Sequence, residues 1–149
     1  MINSSSGGGD KEAASALEAS LALDGDGARI AEARQLAVSF LEAVGEFNGA
    51  SVIADTVEIA QLVVSELVTN AHKYAPGPAL LQLQVVESVL QVDLWDSNPA
   101  LPAAKGADPT RIGQHGLEIV KALAQNVSVE AANGGKHVIA TIPITYSAS

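Results

Sequence analysis

The chain has 149 residues, 48% of them hydrophobic but only 3% aromatic, and a formal net charge of −9. That length is enough for one domain with an aliphatic core, while eight Lys and Arg against seventeen Asp and Glu argue against non-specific nucleic-acid binding, which needs basic surface to neutralise phosphates. Cysteine is absent, which excludes a disulfide framework, thiol catalysis and cysteine zinc sites, and fits a reducing cytoplasm. The apolar runs stop well short of the ~20 residues that span a bilayer, and the N-terminus has no apolar signal-peptide core. The expectation is a cytoplasmic protein with no membrane or direct nucleic-acid contact. Its acidity serves solubility or a basic protein partner.

Residues 1–14, rich in Ser and Gly and then small and charged, read as a flexible tail, and 15–149 as a single domain. Ser15 to Leu23 partly alternates and reads as a first strand, although short of β-branched residues. Asp24-Gly25-Asp26-Gly27 is a turn; it resembles the start of a calcium loop but lacks the later ligands. Ala28 to Val44 has helical spacing through Ile30, Ala33, Ala37, Leu41 and Val44. Gly45 and Asn48-Gly49 end it. A second helix is expected from Ser51, as N-cap, to Tyr74, where Ala75-Pro76-Gly77-Pro78 stops it.

This second helix carries an anomaly. At about 100° per residue, Ile59, Leu62, Val63 and Leu67 share an apolar face, and Glu66 and Asn70 project from the middle of it. Glu58, Gln61, Ser65, Thr69 and His72 form the opposite stripe. A carboxylate and an amide one turn apart on an inner face must be paired, hydrated, or turned toward a pocket.

Two strands follow, Ala79 to Val86 and Ser88 to Asp96, in a tight hairpin around Glu87-Ser88. Leu90, Val92 and Leu94 share one face, and Asp96 continues that apolar phase as a second inward acid. The stretch 97–112 contains Pro99, Pro102, Gly106 and Pro109 and reads as a long irregular connection. Gly113-Gln114-His115-Gly116 then leads into a helix from Leu117 to Gln125. A last hairpin pairs Val127–Ala132 with Lys136–Ile144 across Asn133-Gly134-Gly135. The order β-α-α-β-β-loop-α-β-β points to an α+β fold, a two-layer α/β sandwich with amphipathic helices on one face of a mostly antiparallel sheet.

Glu66 and Asn70 on a helix, Asp96 at a strand end, and Gly113-x-x-Gly116 at a helix N-terminus outline a phosphate-ligand site. Glycines admit a ligand close to the backbone, and free N–H groups with the helix dipole favour an anion. An amide oxygen such as that of Asn70 can ligate magnesium, and a carboxylate such as Glu66 can polarise a hydroxyl. No Walker A sequence or strand-linked G-x-G-x-x-G is present.

SELVTNAHKYAPGP, VDLWDSNPALP and GQHGLEIVKALA, in that order, resemble the three nucleotide-binding boxes of the GHKL ATPase superfamily. Within it the chain is similar to small stand-alone bacterial anti-sigma-factor serine/threonine kinases, over roughly Ala28 to Ile144. The resemblance implies the GHKL (Bergerat) fold, a mixed, mostly antiparallel sheet covered on one face by three helices, and a site for ATP and Mg²⁺. It implies that Asn70 ligates Mg²⁺, that Glu66 is the general base or hydroxyl-polarising carboxylate, and that Asp96 accepts from the adenine amine. Gly113, Gly116 and the backbone at Leu117 would hold phosphates. Lys73 either reaches a phosphate or is a solvated helix-end lysine. His115 lines the pocket or simply precedes the helix, and Arg111 is a candidate γ-phosphate contact. His72 receives no role, and His137 reads as structural. After Asp96 the chain continues Ser97-Asn98-Pro99 where many superfamily members have D-x-G-x-G. That variant is familiar in the anti-sigma subgroup and alters the adenine side of the site.

The implied function is an anti-sigma factor that phosphorylates a serine or threonine of an anti-anti-sigma (STAS-type) partner and binds a sigma factor. The alternatives are a non-catalytic module that sequesters such a partner, with ATP structural or absent, and a small ATPase switch. An edge strand also offers a surface for a homodimer.

Overall fold

The computed structural model describes residues 17–24, 29–75, 77–98, 112–132 and 134–147, with the backbone alone for 112–117. The elements in chain order are β1 (Glu18–Leu23), α1 (Ile30–Phe47), β2 (Ser51–Val52), α2 (Ala54–Tyr74), β3 (Ala79–Val86), β4 (Val89–Asp96), α3 (Ile112–Leu123), β5 (Asn126–Ala132), β6 (Gly135–Pro143) and β7 (Tyr146–Ser147). Five strands form one sheet in the order β1-β3-β4-β6-β5. Every described pairing in it is antiparallel. The α+β architecture expected from the element order is the one observed.

Period-two alternation sets which side of the sheet is covered. Leu81, Leu94 and Val138 are register partners across β3, β4 and β6, and so are Leu83, Val92 and Ala140. All six are buried. They meet the inner positions of the helices, among them Ala37, Leu41 and Val44 of α1, Val63 and Leu67 of α2, and Val120 of α3. The core is built mainly of Ala, Val and Leu, with Phe40 as its buried aromatic among the described residues. Helix α2 sits between α1 and α3 and crosses the central strands β4 and β6.

The end of α1 and the start of α2 differ from the sequence expectation. Ser51 does not cap α2: with Val52 it forms β2, which pairs with Tyr146 and Ser147 of β7. The helix starts after Ile53, whose N–H donates to the Thr145 carbonyl at 2.9 Å and which offers no side-chain cap. A pairing partner almost a hundred residues away outcompetes a local capping preference. Helix α1 also runs beyond Val44, through Gly45 to Phe47, and Asn48 closes it by donating from Nδ2 to the Val44 carbonyl at 2.8 Å.

The β3–β4 hairpin turns through Glu87 and Ser88, with φ of 51° and 64°. Two consecutive positive φ values make the turn that matches strand twist, for which Asn-Gly is the favoured sequence. L-residues with a Cβ are disfavoured there. Replacing the pair by Asn-Gly (Glu87→Asn with Ser88→Gly) is expected to raise the unfolding free energy by about 1 kcal/mol. In a urea titration this appears as a higher midpoint with an unchanged slope; an unchanged or lower midpoint would contradict the turn geometry.

Candidate functional site

The buried arc of α2 comprises Thr56, Ala60, Val63, Val64, Leu67, Val68 and Ala71. It lies further round the helix than the sequence pattern suggested, since Leu62, expected inside, is 48% exposed. At about 100° per residue, Asn70 falls about 20° and Glu66 about 60° beyond the Val63 edge of this arc. Both are therefore half-buried at its margin, not projecting from its centre. The shift has a physical reason: α2 packs against two helices as well as the sheet, so its apolar arc broadens toward Val64 and Val68. Neither Glu66 nor Asn70 makes a hydrogen bond or ion pair among the described residues. An amide and a carboxylate in this position are available to a ligand.

Two contacts bring the end of β4 to the C-terminal end of α2. Asn98 donates from Nδ2 to the Tyr74 carbonyl at 3.2 Å. Gly77, at φ 126°, passes so close to Ser97 that an added Cβ would lie 3.3 Å from its Oγ. Asn70 sits one helical turn before Tyr74, so the amide and Asp96 belong to one end of the molecule.

Asp96 keeps the inward phase expected of it and is 2% exposed. Its carboxylate is already engaged. Lys136 Nζ lies 3.0 Å from both Oδ1 and Oδ2, and the Asn98 N–H donates to Oδ1 at 2.9 Å. Nζ also donates to the Asn98 carbonyl at 3.1 Å. The two side chains are only 5% and 3% exposed, Lys136 and Asp96 respectively. In the inner row of the sheet that runs Leu23, Ala79, Asp96, Lys136 and Ala131, they form an ion pair among apolar neighbours. Beside it, Gly135 leaves space for the Asp96 backbone and the Trp95 indole. A Cβ there would strike the Asp96 carbonyl and come within 2.8 Å of Trp95 Nε1.

Sequence reasoning missed Lys136, although the signal was available. Val138, Ala140 and Ile142 face the core, and period two places Lys136 in the same phase. A lysine on a core phase opposite an aspartate on a core phase is a register prediction. His137 points the other way, with Nδ1 2.7 Å from Asp93 Oδ1 on the outer face, away from the site.

Helix α3 begins at Ile112, not Leu117. The motif Gly113-Gln114-His115-Gly116 is therefore part of the helix and not of a preceding loop. Only N–H groups of the first turn lack intrahelical acceptors, so Ile112, Gly113 and Gln114 form its open end, while the amides of Gly116 and Leu117 fall within the helical ladder. Lys73 and His72 are exposed on the last turn of α2. Arg111 and the side chain of His115 lie outside the described residues.

The chemistry of the donor set fits a magnesium-bound polyphosphate on one side and fits less directly on the other. The open amide of Asn70, the open carboxylate of Glu66 and the helix N-terminus at Ile112 suit metal, hydroxyl and phosphate respectively. The base side differs, since Asp96 is satisfied within the protein. Among the described residues no group of acids and histidines forms a metal cluster, and no helix is long and apolar enough to cross a membrane.

A family model described as a histidine kinase-like ATPase domain matches residues 26–142. Comparison with curated proteins gives no match. Among solved structures, the RsbU and RsbW domains of Rv1364c from Mycobacterium tuberculosis superpose with a TM-score of 0.64 at 15% identity, over 89% of this chain and 33% of that one. The chain thus spans about a third of that solved chain's length, and the likeness is one of fold. The histidine kinase domain of a blue-light activated histidine kinase from Erythrobacter litoralis aligns at 21% identity with a TM-score of 0.49, over 74% of this chain and 60% of that one.

Proposed function

The chain belongs to the family of histidine kinase-like ATPase domains, and from that premise we propose that it is a regulatory protein kinase. It binds Mg·ATP and transfers the γ-phosphoryl group to a serine or threonine of a STAS-type anti-anti-sigma partner, while its other partner is a sigma factor. The observation that carries this reading is the pair Glu66 and Asn70, half-buried, one turn apart, and without protein partners among the described residues.

When bound, Mg·ATP supplies the phosphoryl group and the charge that neutralises it in flight. Asn70 offers its amide oxygen to the metal. The first-turn amides of α3, at Ile112 to Gln114, face the phosphates, with Gly113 allowing close approach. Glu66 accepts the proton of the partner's hydroxyl as its oxygen forms the new bond to phosphorus and the bond to the bridging oxygen of ADP breaks. Lys73 is free to reach a phosphate from the helix end, and Arg111 and His115 are proposed to complete the lining. The added phosphate charge then disrupts the fitted interface and releases the partner.

The test is a thermal shift with Mg·ATP, Mg·ADP and no nucleotide, on the wild type and on Asn70→Ala. A ligand bound only to the native state raises its apparent stability, so the wild type shifts upward and Asn70→Ala shifts less. Transfer from γ-labelled ATP to the serine-bearing partner then separates kinase from binder. The closed state of Asp96 favours a second reading, a module that sequesters its partner without nucleotide. Absence of any shift in the wild type, with the partner still captured, would establish that reading instead.

A further inference from the structure

Lys136 carries an inference about nucleotide selection, one that rests on the nucleotide reading above. We propose that Lys136 is a resident cation in the base site, holding Asp96 in competition with the exocyclic amine of an incoming base and so setting both affinity and base selectivity.

An ammonium has three protons. Three acceptors lie within reach of Nζ: both carboxylate oxygens of Asp96 and the carbonyl of Asn98. Lys136 is thus fully satisfied. Asp96 in turn accepts from Lys136 on both oxygens and from the Asn98 N–H on one. A base amine is neutral, and a neutral donor makes a weaker bond to a carboxylate than a charged one does. It can reach Asp96 only by sharing or displacing the ammonium, and displacement also frees Asn98, which ties the same site to the Tyr74 carbonyl. Adenine's amine therefore contributes little to binding while Lys136 is in place. Lys136 is a positioning residue: it acts through Asp96.

The wild type itself supplies the first readout. ATP is compared with purine riboside triphosphate, which lacks the 6-amino group, by calorimetric titration with magnesium present. The two are expected to bind wild type within about threefold, less than one charge-assisted hydrogen bond would give. Lys136→Gln, whose amide still donates to Asp96, frees part of the carboxylate. It is expected to bind ATP at least about tenfold more tightly and to reject the amine-free analogue by a similar factor. Lys136→Arg keeps the cation beside Asp96, so a folded Lys136→Arg is expected to keep ATP and the amine-free analogue within about threefold of each other, and a tenfold preference for ATP in it would overturn the proposal. A wild type that already prefers ATP by tenfold or more over the analogue would overturn the proposal, whether or not the variants fold. So would a folded Lys136→Gln that binds ATP no better than wild type. Binding of neither nucleotide to wild type or Lys136→Gln at millimolar concentration would instead bring down the nucleotide reading, and this proposal with it.

Discussion

Glu66→Gln is expected to slow phosphoryl transfer to the partner by about 10²- to 10⁴-fold, the usual contribution of a positioned general base. Nucleotide binding should persist, because in the proposed function the carboxylate acts on the acceptor hydroxyl while Asn70 is the residue assigned to the metal. Glutamine keeps the size and the polar character of the side chain and removes the proton acceptor. The position tolerates the change: Glu66 is half-buried at the margin of the α2 arc and makes no ion pair or hydrogen bond among the described residues. Little folding free energy therefore depends on it. Single-turnover transfer and the ATP-induced thermal shift, measured on the same preparation, check both halves. Transfer within threefold of wild type would remove Glu66 from the chemistry; loss of the thermal shift would assign it to binding instead.

Asp96→Ala acts on the other side of the site and first of all on stability. It leaves Lys136, only 4% exposed, with the Asn98 carbonyl as its remaining partner among the described residues. Truncating one member of a buried pair costs about 3–5 kcal/mol, because the surviving charge loses its compensation in a medium of low polarity. The expected result is a fall of that size in the unfolding free energy, read from urea titration without nucleotide. The double variant Asp96→Leu with Lys136→Met removes both charges and should recover most of the loss, since apolar replacements of a buried pair are often neutral. A single-variant loss below about 1 kcal/mol would mean that water reaches the ammonium and that the pair is not a closed unit. Any later comparison of nucleotide binding by Asp96 variants has to be corrected for this stability change.

Much of the architecture was legible along the chain because it depends on short-range periodicity. Alternation in β4 identified the inner face through Leu90, Val92 and Leu94. The Pro-Gly-Pro run marked the end of α2, and Asn133-Gly134-Gly135 marked the last turn. What periodicity could not supply was the width of a helix's buried arc. Leu62 was placed inside, and Glu66 and Asn70 at the centre of that face, because apolar spacing locates a face but not how many neighbours cover it. Packing between two other helices moved the arc and left the polar pair at its margin. The β2–β7 pairing was hidden for the opposite reason: two residues are too few to show alternation, and their partner is remote in sequence.

The sequence by itself determined the fold class, the inward phase of Asp96, and the residues that could meet a phosphate ligand, since each follows from residue type and local spacing. Only the tertiary structure decided the state of those residues. Register across β4 and β6 set Lys136 against Asp96 and closed the acid that the sequence had left open. The fold of the 97–98 segment onto Tyr74 brought that pair to the end of the helix bearing Asn70. An ion pair between residues forty positions apart depends on strand register, and register is settled by how a whole sheet packs, not by any stretch of chain within it.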